Sequence, residues 1–351
     1  MRRRLITLML VKYIFLQASA EEQSKAAMFD RLERMWFGIN AESLPIKCGL
    51  PIISHALGRR NELEGILLHQ LLSRPGAQKS VLIGNFRIHY DTTGIHEPAM
   101  LNAQHNRIPN SANRFADSVG AIANYCLRVE RDLLGYAGIP NDNGAGGGSE
   151  YDIYVQQLSN LYGLTTPESP INNKPDGGTF TSFITIDNDF IFVSPDSNKG
   201  LPGLRVTLAH ELHHAIQLGN YGYWTSDVFF YEITSVWMED VVFTEVNDYF
   251  QYLAPSFSQF RRPWISFANE NTDLIMYSRG IWGLFVAKKY GANAMRKCWE
   301  EIRNARPILA IDRALQQISG ASLRQAFVEW ATWNRFTGTQ SDSALYYSEG
   351  R

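Results

Sequence analysis

The stretch "TLAHELHHAIQ", residues 207–217, holds three histidines and a glutamate within five positions. His210, Glu211 and His214 make the spacing H-E-x-x-H. On an α-helix, residues four apart lie one turn above each other on one face, so His210 and His214 converge on a single metal ion. Glu211 sits about a quarter turn round and reaches a water on that ion. His213 points to the other flank and reads as a hydrogen bonder or a neighbour of the cleft, not a ligand. Leu204, Val206, Leu208, Leu212, Ile216 and Leu218 surround these polar groups, which are costly to bury without a function.

Catalytic zinc takes three protein ligands and keeps a fourth position for water. One protease pattern puts a glycine three residues, and a histidine six residues, past the second zinc histidine. Gln217 and Asn220 stand there, so that pattern fails. A second helical stretch follows, "TSDVFFYEITSVWMEDVVFTEVNDYF" (225–250), opening on the cap-like Thr225-Ser226-Asp227. Glu232, eighteen residues after His214, is the candidate third ligand. Glu239, seven residues further, lies almost two turns on along the same face and is the candidate support for a ligand. Ser235 and Val236 between them are small enough to let the two helices approach closely. The competing reading is that both glutamates are solvated helix charges. Against it, the helix is otherwise apolar and aromatic, where buried carboxylates are expensive.

Working outward, the chain has 351 residues, 45% of them hydrophobic, and a formal net charge of −2. That is room for one large domain or two modest ones, and nothing in it suggests a nucleic-acid or anionic-membrane partner. Residues 1–20 have the layout of a secretory signal peptide: Arg2 to Arg4, a mostly apolar run from Leu5 to Leu16, then Ala18-Ser19-Ala20. Lys12 interrupts the run, and an N-terminal amphipathic helix is the alternative. The expectation is an exported, secreted or periplasmic protein that is soluble once processed, since no later segment has the apolar length of a membrane span. Residues 21–80 read as mostly helical, with "ELEGILLHQLL" (62–72) the clearest amphipathic piece and a pro-region as one reading of the whole. "SVLIGNFRIHYDTTG" (80–94), "YDIYVQQL" (151–158) and "FTSFITIDNDFIFV" (180–193) carry strand chemistry, the last two separated by a Pro- and Asn-rich loop. Residues 112–136 carry a long helical pattern, and the glycine-rich "IPNDNGAGGGSE" (139–150) lacks a phosphate-binding signature and reads as a flexible connector. From Gly203 nearly everything reads as helix. The expected fold is α+β: a mixed α/β lobe over 81–202, a mainly helical lobe over 203–340 that carries the metal site, and a cleft between them.

With the zinc helix and its partner in place, the sequence resembles the gluzincin metallopeptidases, the thermolysin-like and aminopeptidase-N-like enzymes. In the aminopeptidase branch the second helix reads N-E-G-x-x-x-Y-x-E. The chain looks closer still to a family of exported bacterial proteins described as zinc metalloproteases, whose second helix reads E-x-x-[AS]-x-W-x-E-D. "EITSVWMED" fits that form at Glu232, Ser235, Trp237, Glu239 and Asp240. The likeness extends to "FRIHYDTTG", "GSEYDIYV", "YSRGIWGLFVAKKYG" and "FVEWATWNRFTG", so it spans about residues 80–340. It implies a zincin-like fold, one catalytic zinc and a peptide or protein substrate. It also implies a tyrosine from a Y-x-K-G motif that donates to the transition state. Tyr277-Ser278-Arg279-Gly280 matches with arginine for lysine, and core packing is the other reading of Tyr277. No G-x-M-E-N-like exopeptidase signature precedes the zinc helix.

The chemistry that follows is hydrolysis by a zinc-activated water, with Glu211 as base and proton carrier and Tyr277 at the oxyanion. An extended peptide is expected along a strand edge near the zinc helix, with "FTSFITIDND" as the candidate edge. An exported endopeptidase is the leading reading. The alternatives are an inactive binding or adhesion protein on a protease scaffold and an aminopeptidase-like exopeptidase. Cys48, Cys126 and Cys298 allow one disulfide and one spare thiol. "IKCGLP" (46–51) echoes the latency segment of unrelated metalloproteases, in which a thiolate fills the open zinc position. A disulfide or a buried thiol is the preferred reading of Cys48. Aspartates in "IDNDF" (186–190) and "SPDSN" (194–198) offer oxygen ligands for calcium, but turn and capping roles are preferred.

Overall fold

The computed structural model describes residues 45–58, 72–172, 174, 177–268 and 274–350. The expected signal peptide and residues 62–71 of the amphipathic piece lie outside the described residues. The chain is α+β. Strands β1 (Ile46–Cys48), β2 (Lys79–Ile83), β3 (Phe86–Tyr90), β4 (Tyr151–Gln156), β5 (Leu161–Pro170) and β6 (Phe180–Asp187) form one mixed sheet in the order β1-β5-β6-β4-β3-β2. β3, β4 and β6 run parallel, β5 runs antiparallel to β6, and β1 runs parallel to β5.

Three sequence expectations change here. "SVLIGNFRIHYDTTG" is a hairpin rather than one strand, because Gly84 adopts a φ of +60° and turns β2 back onto β3. The expected loop before "FTSFITID" contains the ten-residue β5. Pro167 and Pro170 are what read as breakers; β5 keeps them because its outer side pairs with β1 only at Leu161 and Gly163. Proline's missing N–H costs nothing on such an edge. Finally, β6 lies between β5 and β4, so it offers no free edge to a peptide. Next to the sheet margin, β5 is the strand that touches the H-E-x-x-H helix, and β1 covers its first half.

Helix α1 is Leu50–Gly58 and α2 is Ala112–Leu127, which runs on as a π-helical turn over Arg128–Leu133. Helix α3 (Leu201–Asn220) carries H-E-x-x-H, and α2 and α3 pack on the sheet. Gly200 starts α3 with a φ of +70°, and Pro202 sits in its first turn, where no amide partner is needed. From Val206 nearly to its end α3 is buried on all sides, against β5 and β6 on one flank and α4 (Val228–Val242) on the other. A helix buried all round must pair its polar groups internally. Helices α5 (Ile275–Ser278), α6 (Ile281–Tyr290), α7 (Ala294–Ile302), α8 (Pro307–Ser319) and α9 (Leu323–Arg335) complete the second half. The main hydrophobic core runs from Cys48 through the sheet and α3 to Trp333 and Tyr347, and a smaller cluster of Ile46, Ile52, Ile53, Leu158, Leu161 and Leu164 packs α1 and β1 on β5.

The loop expected to be a flexible connector is tied down. Arg74 bonds Asp142 at 2.6 Å and Glu168 at 2.6 Å, and also pairs with Asp152. The "IDNDF" aspartates take the turn role: Asp187 accepts the N–H groups of Leu158, Asp189 and Phe190, and Asp189 accepts that of Ile191. No helix among the described residues is long and apolar enough to cross a membrane.

Candidate metal centre

His210 and His214 project from one face of α3, with Nε2 atoms 3.0 Å apart. Glu232 of α4 meets them: Oε2 lies 3.2 Å from His210 Nε2 and Oε1 lies 3.2 Å from His214 Nε2, the latter off hydrogen-bond angle. The outer nitrogens are already committed. His210 Nδ1 is 2.7 Å from Glu239 Oε1, and His214 Nδ1 is 2.8 Å from Gln217 Oε1. Gln217 is oriented in turn by donating its amide to Thr234 Oγ1 at 3.0 Å. Each Nδ1 therefore carries the ring hydrogen of the neutral imidazole and donates it, so each Nε2 presents a lone pair. With both rings neutral, two lone pairs and a carboxylate face one another. Such a set calls for a cation.

Without one, a proton serves. Burial opposes charging His210, but Glu232 and Glu239 outweigh it and draw its pKa up to about 10. Burial likewise resists ionising Glu232, yet His214 and His210 hold it down to about 2.

Glu211 sits where a base is needed. Its Oε2 accepts from Thr165 Oγ1 of β5 at 2.7 Å, while its Oε1 has no hydrogen-bond partner among the described residues. Burial raises its pKa despite the two histidines. β5 comes this close because residue 163 is glycine: a Cβ there would stand 2.8 Å from Thr207 Cγ2 and 3.3 Å from Glu211 Cγ.

His213 faces away, as expected, and bonds Glu130 of the π-helical turn at 2.8 Å. Burial raises the Glu130 pKa and lowers that of His213, so it disfavours the charged form of both. The close approach of α3 and α4 rests on Ser235, 3.2 Å from His214 Nδ1. Val236 instead packs against Gly280 of the "YSRG" turn.

Tyr277 is buried beside the centre, its ring 5.1 Å from that of Tyr252, and its hydroxyl faces the backbone N–H of Cys48. Cys48 adds a sulfur to the centre. All three cysteines are unpaired and buried, so of the two readings of Cys48, disulfide or buried thiol, the structure shows the buried thiol. Cys48 Sγ, the Nε2 atoms and a Glu232 oxygen all lie within 4.8 Å of one another. Leu50 N–H donates to that sulfur at 3.3 Å, and the thiol also touches Glu211.

Next to it, Lys47 is wholly buried. Its Nζ lies 2.8 Å from Glu239 Oε2, pairs with Asp248, and stands 4.5 Å over the Tyr162 ring. Thr165, Lys47 and Asp248 escape a motif reading because each acts through a partner distant in sequence, while Gln217 lies one turn from His214 but belongs to no ligand motif; only the Cys-Gly pair of 48–49 leaves a trace.

Residues 187–337 match the model of a family of unknown function, DUF6055. The comparison with curated proteins finds no match. The matched span carries His210, Glu211, His214, Glu232, Glu239 and Tyr277, while Cys48 and Thr165 fall outside it.

Proposed function

We propose that the chain is an exported zinc metallopeptidase with a zincin-like arrangement, an endopeptidase that hydrolyses peptide bonds at the His210–His214–Glu232 centre. The observation that carries this is the buried convergence of His210 Nε2, His214 Nε2 and Glu232, with 3.0 Å between the two nitrogens and 3.2 Å from each to a carboxylate oxygen, while both Nδ1 atoms are engaged elsewhere. Their donor types suit zinc, which is held by imidazole and carboxylate alike. Zinc bound there supplies a Lewis acid that polarises the scissile carbonyl and brings the pKa of water toward about 7.

The chain's own groups do the rest. Glu239 and Gln217 fix the tautomers and ring planes of the two histidines. Glu211, held at one oxygen by Thr165, keeps the other free to take the water's proton and pass it to the leaving amine. Tyr277, once free of the Cys48 backbone, supplies a hydroxyl to the developing oxyanion. An extended peptide would pair along β5, the strand that also holds Glu211.

Metal content is the direct test. After purification with zinc, the full chain is expected to hold one zinc by atomic absorption, and Glu232→Ala to hold none. A wild-type chain free of metal would end this reading.

Acidity gives a second test, on the chelator-treated chain. The His210 pKa is raised from 6.5 to about 10, so its contribution to stability is whole below pH 6.5 and is lost as pH rises through about 10. Glu232 is lowered from 4.5 to about 2, so its contribution is whole above pH 4.5 and is lost as pH falls through about 2. The melting temperature of the metal-free chain should therefore fall from pH 6.5 towards 10, and zinc should remove that fall. A flat profile without metal would contradict the assignment.

One observation favours a second reading. With Cys48 the centre has four protein donors, as a purely structural zinc site has. A binding protein with a structural metal would then be the function. Glu211 argues against it: a structural site has no use for a buried carboxylate with an unpartnered oxygen beside the ligands.

A further inference from the structure

We infer that residues 45–58 hold the centre shut, with Cys48 supplying a fourth ligand to the metal and β1 filling the sheet edge where a peptide substrate would pair. This rests on the metallopeptidase reading and adds a regulation to it. Several independent features meet in the segment. The Cys48 sulfur belongs to the same 4.8 Å set as His210, His214 and Glu232, and it also interacts with Glu211, so it neighbours the ligands and the base at once. A reacting water would have to neighbour the same groups.

β1 pairs Ile46 with Leu161 and Cys48 with Gly163, and Gly49 N–H donates to Gly163 O at 3.0 Å. Gly163 is the position of β5 that borders Glu211, so a substrate strand reaching the centre has to displace β1. The backbone of Cys48 also engages the hydroxyl of Tyr277. One residue thus covers the metal position, the base and the oxyanion donor together. The burial agrees: His210, Glu211, His214 and Glu232 are at most 1% exposed, which leaves no way in for a peptide.

The closure is both held and reversible. Lys47 clasps Glu239 and Asp248, and Ser54 Oγ bonds Tyr223 Oη at 2.6 Å from α1. Against that, β1 is only three residues long and pairs in the parallel mode, the less stable one per residue. Opening would separate β1 from β5 and break one coordinate bond, that of the Cys48 sulfur to the metal. The thiolate takes up a proton from solvent, and water enters in its place.

Cobalt(II) loaded into the full chain in place of zinc tests this without recourse to activity. The wild type is expected to show thiolate-to-cobalt charge-transfer absorption in the near ultraviolet. Cys48→Ser and Cys48→Ala should lose that band and keep the visible cobalt bands of the remaining ligands. The zinc forms of these variants should cleave a fluorogenic peptide library at least about tenfold faster than wild type, because a tethered ligand competes at a high effective concentration. Cobalt bound one per chain with no charge-transfer band in the wild type would overturn the latch and leave the metallopeptidase reading standing. A band that is present, with variants no more active than wild type, would overturn the latency and favour a structural metal. No cobalt bound at all would remove both readings. The wild-type spectrum decides the ligand even where a variant fails to fold.

Discussion

Glu211→Gln, made in a chain opened by Cys48→Ser, is expected to keep its zinc and to lose peptide cleavage by about 10²- to 10⁴-fold, the range for removing a positioned general base. The substitution is nearly isosteric and touches none of His210, His214 and Glu232, so metal content should stay at the parent value. Thr165 can still donate to the side-chain oxygen of glutamine, so the side chain keeps its place on β5. What changes is proton affinity. An amide cannot take a proton from water at neutral pH, whereas the Glu211 carboxyl is raised by burial towards the range where a base both accepts and releases one. Zinc content and casein cleavage, measured on the same preparation, separate the two roles. A variant that cleaves near the parent rate would remove Glu211 from the chemistry, and one that loses zinc would make it a ligand support instead.

The parts of the centre that were legible beforehand are those written in local helical geometry. His210 and His214 share a face because they are four apart, and Glu232 with Glu239 because they are seven apart. The exclusion of His213 follows from the same angle, and the structure gives it Glu130 as its partner. The strands at 86–90, 151–156 and 180–187 are legible from alternation and β-branched content. Legibility stops where the partner is distant in the chain. β5 carries two prolines, and only the discovery that its outer side is barely paired explains why they are tolerated. The sheet order that makes β6 internal comes from crossovers, which no window of residues contains. Cys48 reads as a disulfide partner or a buried thiol, because its partners in the centre, His210, His214 and Glu232, lie more than 160 residues away. Lys47 is harder still, since a lone lysine in an apolar stretch reads as exposed until Glu239 and Asp248 are known to face it.

Lys47→Met should then be among the most destabilising single substitutions in the described fold, at about 3–5 kcal/mol, because breaking a buried pair strands the charges that remain. Methionine fills much the same volume, so the cost is electrostatic rather than a cavity. Two carboxylates lose their cation at once, and neither can turn to water: Glu239 is bonded to His210, and Asp248 accepts from Asn198 at 3.0 Å and Tyr162 at 3.4 Å. The consequence reaches the metal through one bond, since Glu239 fixes the His210 tautomer. Lys47 is also the neighbour of Cys48, so the same change loosens the segment that closes the centre. Adding Asp248→Asn should restore part of the lost stability by removing one stranded charge, and it should leave the segment loose. Urea unfolding of the two variants, with peptide cleavage recorded alongside, separates the effects: stability partly recovers in the double variant while cleavage stays above wild type. If Lys47→Met unfolds at the wild-type urea concentration, the ammonium holds nothing, and the closing segment must be kept in place by β1 and α1 alone.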